Sequence, residues 1–352
     1  TATTGNITDT VALAVTGTSS FTTSASNGTI TLNTPAALSG AVSLNTTGSS
    51  GNATLDNGTT ALNIAASTIG GNLTVTAGDS ITDSGVITVG GTASFTTDTT
   101  DKLITLNSQN AVTGQLTFST IGTGGDVTFD NGTTAISLGT ISSGDIGGDL
   151  TLQTDAVTTI SNAVTMNGSG AALSLTVDGG QSLNVQAALT TNAGVITLSA
   201  DDDVIFTAAG DLSSTNGNIS VTADDDATSD AESGGALTMV DGTVFNAGSG
   251  TISGIADEDI TLGQMTTTNA TSSAITLNTT SGNILDGDSS EANDLTAASG
   301  TVAVTTGGGT FGTDANAIEI TSASLTKTGV PVTVVTPKSE ESLSGTNETV
   351  GE

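Results

Sequence analysis

The sequence predicts an all-β chain wound as a parallel β-solenoid, and three observations predict it. Short strands of alternating apolar and hydroxyl residues recur throughout, each announced by a glycine: "GTITLN" from Gly28, "GNLTVTA" from Gly71, "GVITLSA" from Gly194 and "GNISVTA" from Gly217. Such period-two runs are strands, and glycine marks the turn before them. A long internal copy is present, in which Ser20 answers to Ser94, so the chain repeats a structural unit. No apolar run follows the helical period, and Trp and Tyr, the usual anchors of a β-sandwich core, are absent. A row of tandem immunoglobulin-like sandwiches is the alternative that the strand spacing also allows.

The copy begins where "SFTTSASNGTITLN" (Ser20 to Asn33) returns as "SFTTDTTDKLITLN" (Ser94 to Asn107). "LDNGTTAL" (Leu55 to Leu62) returns as "FDNGTTAI" (Phe129 to Ile136) at the same offset. "GGNLTV" from Gly70 then returns late, as "GGDLTL" from Gly147, so the second copy carries a small insertion at "TISSGDIGG". Residues 20–75 and 94–152 are thus a duplication in which inward residues and turns persist and polar positions drift. Farther on, "LSADDDVIF" (Leu198 to Phe206) is echoed by "VTADDDATS" (Val221 to Ser229). "IADEDITL" (Ile255 to Leu262) follows after a wider gap, as if one coil held an extra loop. Coils of roughly 18–26 residues are expected, each covering its neighbours because none could bury a core alone. Three coils of about 25 residues would make one duplicated block. The solenoid is expected over residues 1–330, with a terminal strand and a flexible polar tail over 331–352.

Composition narrows the function classes. The formal charge is −32, opposed only by Lys102, Lys327 and Lys338, and Arg is absent. Nothing could neutralise phosphates, so nucleic acid is excluded as a partner. No apolar run reaches the length of a membrane span. The chain opens on Thr1 without a charged-then-apolar leader and reads as a processed chain or a fragment. Cysteine is absent, which removes disulfides and thiolate metal sites. His, Cys, Tyr and Arg are all missing, and with them the usual general base, thiol nucleophile and anion clamp. The expectation is a non-enzyme without a required cofactor.

The acidic runs are the candidate sites. Asp201, Asp202 and Asp203 would stack near Asp224, Asp225 and Asp226 on the next coil, with Asp257 and Asp259 beyond. Carboxylates one strand spacing apart repel, so the column is either well hydrated or holds a cation. Calcium, which takes six to eight oxygen ligands, suits clustered Asp. A plain hydrated turn is the competing reading, because Asp is common in turns. Threonine pairs such as Thr74 and Thr76 could form an ordered hydroxyl array. That ladder breaks between the two copies, where Thr76 answers to Gln153, and Thr is read as a strand former. Twelve Asn-x-Ser/Thr triplets occur, among them Asn57, Asn72, Asn131 and Asn218, and they permit surface glycosylation without arguing for it.

"GGNLTVTAGDSI" (Gly70 to Ile81), "GGDLTLQTDA" (Gly147 to Ala156) and "AGDLSSTNGNISVTA" (Ala209 to Ala223) resemble the coils of filamentous-haemagglutinin-like proteins. The resemblance implies a right-handed parallel β-helix shaft and a secreted bacterial surface protein. At the carboxyl end "GVPVTVVTP" (Gly329 to Pro337) holds Pro331 and Pro337, which suits an edge strand that either closes the stack or pairs with another subunit. The expected function is a structural element outside the cell, a filament subunit or adhesin shaft. It would associate with itself into fibres or layers, or touch a host or cell-surface glycan. A calcium-stabilised envelope layer and a carbohydrate-binding or carbohydrate-active β-helix are the alternatives.

Overall fold

A computed structural model describes residues 1–224, 234–287, 292–313, 316–329 and 348–350. Among the described residues every regular element is a β-strand, and the strands pair in parallel from coil to coil. The chain is a β-solenoid and not a row of sandwiches. It divides into two units, Thr1–Ala156 with Met166–Ala171, and Val157–Thr165 with Ala172–Glu352.

In the first unit a coil takes three short strands. Ala53–Asp56, Leu62–Ile64 and Ser67–Ile69 make one, and Leu73–Ala77 then lies beside Ala53–Asp56 to begin the next. Down one face Ile7, Ile30, Ala53, Leu73, Ala93 and Leu116 are successive partners, so coil follows coil at nearly even spacing. Alternate residues point inward, and Ile30–Leu32, Leu62–Ile64 and Ile104–Leu106 each read buried, half-exposed, buried. The core is aliphatic with one aromatic cluster: the Phe95 and Phe118 rings stack at 6.0 Å, and Phe129 leans on Phe118 at 5.6 Å.

The duplicated block is not three coils of equal length. Three coils from Ile30 end at Ala93, well short of Ile104, the residue that copies Ile30. Ile104 instead pairs with Ile81 and Val127 on the next face. The duplication therefore advances by one face beyond three full coils. Faces of parallel strands share the same spacing and pleat, so a strand that served one face serves the next without change.

The outward residues also follow coil register and not copy register. Thr8, Thr31, Thr54, Thr74, Ser94 and Thr117 are successive neighbours, an unbroken hydroxyl column that the copy-to-copy alignment hides.

Turns are tied by Asn and Asp side chains that accept a backbone N–H from the next coil. Asn52 Oδ1 accepts from Asn72 N–H at 2.8 Å, Asn72 Oδ1 from Thr92 N–H at 3.0 Å, and Asp126 Oδ1 from Asp149 N–H at 2.9 Å. This explains the Gly-Asn or Gly-Asp before strands such as Ala53–Asp56, Leu73–Ala77 and Leu150–Thr154: the glycine lets coils approach, and the Asx satisfies a donor that has no strand partner. A Cβ on Gly70 would sit 2.4 Å from the Gly48 carbonyl oxygen, so no larger residue fits there.

In the second unit Leu173, Ile196, Ile219, Ile252, Ile275, Val302 and Leu325 are partners down one face. The coil from Ile219 to Ile252 is the longest of them and is the one expected to carry an extra loop. Residues 225–233 within it lie outside the described residues. Two further faces are built from Leu183, Val204, Leu237, Ile260 and Ile284, and from Leu189, Leu212 and Phe245. Phe206 and Phe245 meet edge to face at 4.8 Å in the core. Of the expected terminal strand only Gly329 is described. Glu348–Val350 pairs in parallel with the Leu325 to Lys327 stretch.

Candidate functional site: an acidic corner and a carboxylate cluster

The register of the second unit places the expected acidic residues on one corner. Val177, Ala200 and Ala223 are successive partners, so the residues that follow them, Asp178, Asp201 and Asp224, lie on successive coils. Asp257 continues the column after the long coil, and Gly235 fits between: a Cβ there would meet the Cβ of Asp224 at 2.8 Å and that of Asp257 at 3.3 Å. Asp225 and Asp226 lie outside the described residues.

Backbone and hydroxyl donors engage these carboxylates. Asp201 Oδ2 accepts from Gly180 N–H at 3.3 Å, and Asp202 Oδ2 accepts from the Ser182 hydroxyl at 2.6 Å. Asp203 Oδ1 accepts from both Gly235 N–H and Ala236 N–H, at 3.1 and 2.9 Å, which ties the backbone just before Leu237–Met239 to the preceding coil. Asp259 Oδ1 accepts from the backbone N–H and the side-chain amide of Asn283, at 2.6 and 3.0 Å. In the described structure, then, Asp201, Asp202, Asp203 and Asp259 act as turn locks, while Asp224 and Asp257 flank a glycine.

A different set of carboxylates converges more closely. One oxygen from each of Asp286, Asp294 and Glu319 lies within 4.8 Å of the other two. Asp286 ends the strand Ile284–Asp286, Asp294 precedes Leu295–Thr306, and Glu319 precedes Ile320–Thr328. Asp294 is fully buried and the other two are half-buried. The backbone joins them as well: Asp294 Oδ2 accepts from Glu319 N–H at 2.9 Å, and the Glu319 carbonyl accepts from Asp294 N–H at 3.0 Å and Leu295 N–H at 3.1 Å. Three carboxylates this close repel strongly away from water, and a shared proton or a bound cation would relieve them. Their separation along the chain hides this group from sequence reading. Locally its members show only as "ILD", "DLT" and "EIT", and an acid directly before a strand is common in this chain, as at Asp126, Asp149, Asp203, Asp211 and Asp259, so no local signal marks the group.

The glycosylation triplets divide by burial. Asn57 and Asn131 are wholly buried and hydrogen-bonded through their amides, so in the fold they are structural. Asn72 and Asn218 are exposed, and each accepts a backbone N–H from the next coil. In the first unit a shallow recess of about 280 Å³ opens beside the insertion in the second copy. Ile121, Ile146 and Gly144 are among the residues that line it, and no titratable side chain does. No helix among the described residues is long and apolar enough to cross a membrane.

Residues 1–45 and 50–119 match a family model described as repeats of unknown function, DUF5649. The two stretches span about a third of the chain, and the match characterises them as repeats. Comparison with curated proteins and with solved structures gives no match.

Proposed function

We propose that this chain is a non-catalytic structural protein of a bacterial cell surface, acting as a filament subunit or as the shaft of an adhesin. The observation that carries the reading is the repeated coil register within each unit. Strand after strand hands its backbone donors and acceptors to the next coil, and in the first unit a hydroxyl column covers one outward face. That construction suits bearing and spacing more than chemistry. The resemblance of the Gly-Asx-Leu-Thr coils to filamentous-haemagglutinin-like shafts supports an extracellular location. The large negative charge supports solubility at high local concentration. The family match over the first third supports a repeat role.

Self-association is part of the proposal. Solenoid coils end in strand edges, and an edge pairs with another strand when one is offered. The segment from Gly329 to Pro337 is the proposed contact, since it is strongly apolar and follows Ile320–Thr328 directly in the chain. Negative-stain electron microscopy of the purified chain, with and without residues 330–352, tests it. Fibres that vanish on truncation are expected. Separate particles from the intact chain at every concentration would overturn the filament reading, and undiminished fibres after truncation would move the contact elsewhere.

A further inference from the structure

We draw no further inference here: the strongest candidate, the Asp286, Asp294 and Glu319 carboxylate cluster at the strand ends of the second unit, is a group of acidic side chains at which no second observation points to a ligand.

Discussion

The side chain of Asn57 closes on both backbone polar groups of Leu38. Leu38 N–H donates to Asn57 Oδ1 at 2.9 Å, and Asn57 Nδ2 donates to the Leu38 carbonyl at 3.2 Å. The same pair recurs in the second copy, where Asn131 binds Val112 at 2.8 and 3.1 Å. At these two places an amide stands in for a strand. The strand Ala37–Leu38 has a partner on one side, Ala14–Val15, and the Asn57 amide on the other. The chain then re-enters the stack at Leu62–Ile64, where Ile64 lies beside Val42. Such a substitution lets a coil drop one strand without orphaning buried donors and acceptors. It occurs once in each copy, which fits a copy that is not a whole number of coils.

Replacing Asn57 by Ala would leave the Leu38 N–H and C=O unpaired in the interior. At about 1–3 kcal/mol for each buried group, a loss of ~2–6 kcal/mol is expected. Asn57→Asp is expected to be at least as harmful near neutral pH, because the Leu38, Thr60 and Ala61 carbonyls that now accept from Nδ2 would face a carboxylate. Urea denaturation of both variants beside the parent checks this. Unchanged midpoints would mean the amide is not what holds the coil.

Glycine at coil contacts gives a second prediction. A Cβ on Gly217 would fall 1.9 Å from the Gly194 carbonyl oxygen and 2.4 Å from its carbon, both backbone atoms. Gly217→Ala must therefore push two coils apart, at a cost of about 1–3 kcal/mol or more. Gly144 differs: its φ is +93°, but a Cβ there meets nothing within 4 Å. Gly144→Ala costs only the left-handed backbone, roughly 1–2 kcal/mol. The first variant is expected to lower the urea midpoint more than the second, and the reverse order would contradict the contact geometry.

Coil architecture was legible in the sequence because inward positions and turns repeat. "GNLTVTA" announces a turn, an Asx tie and a strand in seven letters, and the structure has all three there. The greater length of the coil from Ile219 to Ile252 was legible from the lengthened echo of the Asp runs. The phase of the copy was not. Ile30 and Ile104 look alike because both are inward strand residues, and nothing local tells which face of a coil a strand occupies. The Asp286, Asp294 and Glu319 group was hidden for a related reason. Its members meet only through the lengths of two successive coils, and those lengths depend on loops that carry no repeating letters.

Core aromatics are few, so each should matter. Phe129 is buried against Phe118 and lies 6.5 Å from Phe95, drawing two faces of the first unit together. Phe129→Ala is expected to cost about 3–5 kcal/mol. Solenoid coils are stabilised chiefly by their neighbours, so the loss should be local. Hydrogen exchange followed by mass spectrometry should show faster exchange in the strands around Ala93 to Asp130 and little change in those around Ile196 to Thr279. Uniform acceleration along the chain would show that the coils unfold as one.

The ion pair between Lys102 and Asp79, 3.0 Å apart, gives a prediction about acid. The hydrogen bond from Lys102, then that from Ser80 N–H, holds the Asp79 carboxyl below the usual carboxylate range. A carboxyl whose folded pKa is depressed contributes stability above its unfolded pKa of about 3.9, and loses it as pH falls through the folded value. Asp79→Asn should therefore match the parent near pH 2 and fall slightly below it from pH 5 upward. Both side chains are substantially exposed, so the gap should be small and should close in about 1 M salt, where screening reaches only about 3 Å. Comparing urea midpoints of the two proteins at each pH cancels the general relief of repulsion that acid brings to so negative a chain. A gap that is widest at pH 2, or that persists in high salt, would show that Asp79 matters through something other than Lys102.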